Sequence, residues 1–157
     1  MQLARVKLDT TAPCCTEAGL ILCGLSLHVN GLNFPSPEWV DFPIVVLGWW
    51  TEAVIPLLRG SAEPVQARFM EGPYVIEFRV RTAEIWHMDL VKRGLSRSIL
   101  YSADIDVETF LNSLIDACDC AIDMCHRQGF WSSDADNLAK AAGSLREEIK
   151  TFKKKPM

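Results

Sequence analysis

The residues best placed for chemistry are His87 and Asp89, which stand two apart in the alternating run IWHMDLV (85–91) and so share one strand face. Closing the preceding hairpin on Thr82 sets Glu77 opposite His87, with Arg79 on the same face. Carboxylates flanking an imidazole could move a proton. An ordinary cross-strand charge pair uses the same residue types. The chain supplies no G-x-S-x-G elbow, oxyanion cradle or metal-ligand set beside them, so no catalytic residue is assigned and an enzyme is not expected. Cys125-His126 is no dyad either, since helix neighbours point about 100 degrees apart.

Asp116, Asp119 and Asp123 recur at helical spacing and make an acidic ridge, joined by Glu108 and Asn112. It is either a solvated helix face or a contact surface that steers a basic partner. A straight helix cannot wrap oxygen ligands around calcium. Zinc would draw on Cys14-Cys15 with Cys118, Cys120, Cys125 or His126, without the two separated C-x₂₋₄-C pairs usual in structural sites. No metal or cofactor is therefore expected. The six cysteines read as reduced thiols, with Cys118 and Cys125 on one buried helix face. Sixteen Lys and Arg against 20 Asp and Glu give a formal charge of −4, which argues against a nucleic-acid partner. The first residues lack a signal-peptide core, and Gly48, Thr51, Glu52 and Pro56 interrupt the apolar runs before they could span a bilayer. A cytoplasmic protein that does not enter a membrane is the expectation; the oligomeric state is open.

The elements that must position these residues are legible in outline, and 157 residues with 49% hydrophobic content suit one domain over 1–157. Arg5 to Leu8 reads as a short strand, TTAPCCTEAG as a loop, and Leu20 to Val29 as a strand with Leu25, Leu27 and Val29 inward. Asn30-Gly31 is a hairpin turn. After a turn at 36–39, Asp41 is placed as the N-cap of a helix from Phe42 to about Leu58, closed by Gly60 and wet only around Gly48 and Glu52. From Val65 to Ala103 a period of two predicts a four-stranded meander. Its loops pair Ala67 with Ile76, then Phe78 with Trp86, then Met88 with Ile99. Arg68, Arg79, Arg81, Glu77, His87 and Asp89 then share its outer face with Val75, Ile85 and Val91. A helix capped by Asp104 or Asp106 runs to Gln128, and another follows Ser133, whose Asp136 completes a capping box. The short lysine tail KTFKKKPM reads as a solubilising end. The fold class is α+β: an antiparallel meander with a buried central helix and two C-terminal helices packed on one face.

The strand leading to VNG (29–31), the segment FPSPEW-x-D (34–41), the WW-containing helix and the hairpin FMEGPY (69–74) resemble small immunity proteins of bacterial polymorphic-toxin and contact-dependent growth inhibition systems. The resemblance covers roughly the first hundred residues and implies a cytoplasmic protein that binds a cognate toxin domain and occludes its active or neighbouring surface. Interfaces differ among such proteins, so it assigns no binding residue. The residues themselves offer Asp116, Asp119 and Asp123 on one face and Glu77, Arg79, His87 and Asp89 on another. A small enzyme or ligand-binding protein using the acid/base cluster, and an oligomerising adaptor, are the competing readings.

Overall fold

The computed structural model describes residues 1–16 and 20–154. β1 (Ala4–Cys15), β2 (Ile21–Val29), β3 (Leu32–Phe34) and β4 (Val40–Asp41) form one antiparallel sheet, with β2 between β1 and the short strands β3 and β4. β5 (Val65–Arg68), β6 (Tyr74–Val80), β7 (Ile85–Arg93) and β8 (Arg97–Asp106) form a second, a meander in chain order. One parallel bridge, Gln2 to Ile105, links the two. α1 (Pro43–Leu58) packs against both sheets and against α2 (Val107–Arg127) and α3 (Ser133–Lys154). The fold is α+β, as expected, and one apolar cluster runs through every layer.

β1 is longer than the sequence suggested, because Thr10 to Pro13 form a bulge after which Cys14 and Cys15 pair again with β2. Pro13 has no N–H to give a ladder, and the bulge places it where none is asked. Residues 17–19 of the expected loop lie outside the described residues. Asn30 and Gly31 both take positive φ, 48° and 77°, the geometry that a two-residue hairpin requires.

α1 starts one residue later than expected, and Asp41 is not its N-cap: the cap position is Phe42, which makes no side-chain cap bond, and Asp41 lies in β4. The helix also lacks acidic residues in its first turn and basic residues in its last. A missing cap costs about 1 kcal/mol. One buried large apolar side chain returns roughly 1.5–3 kcal/mol, and α1 buries Val46, Leu47, Trp50, Val54, Leu57 and Leu58, so packing holds it. Its wet side is broader than expected and includes Trp49 and Pro56.

Asp41, fully buried, is instead a hub. One carboxylate oxygen accepts the Trp39 indole N–H (3.0 Å) and the Glu71 amide (3.4 Å); the other accepts the Phe42 amide (2.8 Å). Trp39 and Phe34 meet Phe69 and Tyr74 edge-on at 5.4–6.1 Å between centroids, and the Trp50 indole donates to the Arg68 carbonyl. The FPSPEW-x-D and FMEGPY segments thus form the joint between the sheets.

Two meander registers depart from expectation. β6 and β7 slip by two residues, pairing Phe78 with Met88 and Glu77 with Asp89 rather than with His87. The loop turns later because the Thr82 hydroxyl accepts the Glu84 and Ile85 amides. A two-residue slip keeps every side chain on its face. β7 and β8 shift further: Met88 faces Ala103, and Leu100 is an unpaired bulge that carries Ile99 to the outer face opposite Val91. α2 begins at Asp106, whose carboxylate accepts the Thr109 amide, and α3 is capped by Ser132, one residue before the expected Ser133.

Candidate functional site

The outer face of the second sheet collects an ionic chain. His87 sits between two carboxylates, its Nδ1 2.9 Å from Asp104 and its Nε2 3.0 Å from Asp89. Arg81 Nη2 also lies 3.4 Å from Nδ1, and each ring nitrogen donates or accepts according to the tautomer. Arg81 pairs with Asp104 at 2.7 Å, and the Ser102 hydroxyl donates to Asp89 at 2.5 Å. The Arg97 guanidinium reaches from β8 over β7 to grip both Glu77 oxygens at 2.9 and 3.0 Å, passing Asp89 at 3.7 Å. Glu77 and Asp89 are direct cross-strand neighbours, so Arg97 offsets two like charges.

Burial pushes the Asp89 carboxyl up, but the hydrogen bonds from Ser102 and His87, with the charges of His87 and Arg97, outweigh it and hold the group below the usual carboxylate range. The hydrogen bond from His87, with Arg81 beside it, does the same for Asp104. Both ring nitrogens of His87 are engaged by acids, and the Ser102 hydroxyl donates to Asp89 rather than to the imidazole.

Glu77, His87 and Asp89 are thus brought together, and Arg79 lies beside His87 in register, with an exposed side chain. Asp104, Ser102 and Arg97 complete the chain and could be found only with the third hairpin's register in hand. The outer-face valines differ from expectation: Val75 and Val91, paired across β6 and β7, are buried.

The acidic ridge is less unbalanced than its sequence implies. Asp119 pairs with Arg146 of α3, Asp123 with Arg127 one turn on at 2.9 Å, and Glu108 with Lys153 at 3.3 Å. Asp116 has no cation within ion-pair distance among the described residues. In the lysine tail, Lys150 pairs with Glu147, and residues 155–157 lie outside the described ones.

Cys118 is buried against the Thr51 hydroxyl, and burial pushes its thiol up to about 11; burial and the nearby Asp9 charge push Cys23 up to about 12. Both behave as packing residues. The Cys14 side chain lies outside the described ones. Among the described residues no three His, Cys, Asp or Glu side chains gather as metal ligands, and no helix is long and apolar enough to cross a membrane.

Two further surfaces stand out. A trough of about 950 Å³ lies along the first sheet, with Gly24, Ser26, Lys7, Asp9 and Glu38 among its lining residues. The β7–β8 hairpin exposes apolar side chains: Leu95 in its turn is fully exposed, and Ile99 and Leu100 of β8 are 49% and 55% exposed. Sequence periodicity missed this patch because it placed Ile99 in the core. The chain matches no protein-family model, no curated protein and no solved structure.

Proposed function

We propose that this chain is a cytoplasmic immunity protein, which binds a cognate toxin domain and occludes its active or neighbouring surface with the β7–β8 hairpin and the outer face beside it. The observation that carries the reading is the exposure of three large apolar side chains, Leu95, Ile99 and Leu100, within one hairpin. Exposed apolar side chains beside ordered charge have the composition of a protein interface. Along β8, residues 98–103 form the sheet's edge, with backbone groups open to a partner, and the Glu77–Arg97–Asp89–His87 chain supplies prearranged charge for orientation. Nothing in this mechanism asks a side chain to react; occlusion suffices. The resemblance of the segments at 29–41 and 69–74 to immunity proteins points the same way, although those residues serve the joint between the sheets.

The test is co-expression of the tagged protein with the C-terminal domain encoded immediately upstream, with calorimetry and growth as readouts. A tight one-to-one complex that restores growth is expected. Leu95→Asp with Ile99→Asp and Leu100→Asp should weaken it by about tenfold or more while the thermal midpoint stays near that of the parent. No complex and no rescue would remove the reading; a complex indifferent to the triple substitution would move the interface off the hairpin.

A further inference from the structure

We infer that the cleft between α1 and α3 beside Trp49 receives a single basic side chain, arginine or lysine, presented by the protein partner; this rests on the protein-binding reading above. The wet side of α1 repeats Val45, Gly48, Trp49 and Glu52 at helical spacing, and the start of α3 faces them with Asp134 and Asn137. Together they line a cleft of about 210 Å³. That is below the roughly 300–1,000 Å³ of small-molecule sites but holds the head of one long side chain.

Its side-chain charge is one-sided, set against the weaker positive end of the α3 dipole at Asp134. Glu52 and Asp134 bring two carboxylates, no Lys or Arg lines the cleft, and neither acid has a cation within ion-pair distance among the described residues. The Trp49 indole, 42% exposed on the wet side of the helix, adds an aromatic wall. An aromatic face beside carboxylates attracts a cation through the ring quadrupole and through charge, and both terms strengthen as the cleft sheds water.

Gly48 supplies a separate argument. A glycine inside a helix costs about 0.5–1 kcal/mol relative to alanine. Neither a positive φ nor a close neighbour requires it here, since an added Cβ would meet nothing within 4 Å. Its missing side chain leaves the floor of the cleft open beside the indole.

The experiment follows the Trp49 indole N–H resonance, assigned with Trp49→Phe, in the full chain titrated with N-acetylargininamide, N-acetyllysinamide and neutral N-acetylnorleucinamide. Saturable shifts at millimolar concentration are expected for the two cations and not for the neutral compound. Glu52→Gln with Asp134→Asn should weaken them at least about tenfold. Gly48→Leu, a helix-favouring change with open space to enter, should abolish them while the protein stays folded. No saturable shift, an equal response to the neutral compound, or unchanged binding in the variants would overturn the inference. The toxin domain takes no part in the titration, so failure here and failure of the inhibitor reading are distinguishable.

Discussion

At Asp89 two opposing influences meet: burial favours the protonated acid, while Ser102, His87 and Arg97 favour the carboxylate and prevail. The folded-state value lies below the ordinary 3.8, so the group's contribution to stability is complete above that pH and is lost as pH falls through the folded value. Urea unfolding at several pH values should therefore show the parent losing stability more steeply than Asp89→Asn below about pH 4. Parallel curves would contradict the role given to Ser102 and His87. The shared face of His87 and Asp89 was legible from a period of two. Their neighbours were not, because the identity of a cross-strand partner depends on loop length, and Thr82 lengthened the loop by holding the Glu84 and Ile85 amides.

Among the elements, the FMEGPY turn shows how local geometry and distant packing share one residue. Gly72 has φ +70°, and a Cβ there would lie 2.9 Å from Trp39 Cη2; Gly31 has φ +77° with nothing within 4 Å. Left-handed backbone costs a non-glycine residue about 1–2 kcal/mol, so Gly31→Ala should lose about that much. Gly72→Ala should lose about 1–3 kcal/mol more, because it also crowds the indole at the joint. Chemical denaturation of the two variants separates these effects, and equal losses would mean that Trp39 gives way freely.

The same contrast explains which elements could be read in advance. Asn30-Gly31, Gly60, Asp106 and Gly129 act through neighbours in sequence and announced their turns and helix ends. The return of β1 to pairing beyond its bulge, the Leu100 bulge and the burial of Asp41 depend on strands and side chains far along the chain. Candidate sites followed suit: His87 could be found from local pattern, whereas the hairpin patch and the Trp49 cleft exist only once register and helix packing are settled.

As a whole, the molecule has two sheets but one core, and the aromatic residues of the joint belong to both. Trp39 and Trp50 report on that joint, while far-ultraviolet circular dichroism reports on strands and helices throughout. Their urea transitions should coincide, as for a single cooperative unit. Separated midpoints would show that one sheet survives without the other.

The Gln2–Ile105 bridge has a bearing on the order of events in folding. Beside it the Val6 amide donates to the Ser113 hydroxyl, a contact between residues 107 apart. Contacts so distant demand a large loss of chain entropy before they return anything, whereas the meander can assemble from neighbouring segments. Gln2 and Val6 are synthesised well before Ile105 and Ser113, so these two contacts can form only once the meander has been made.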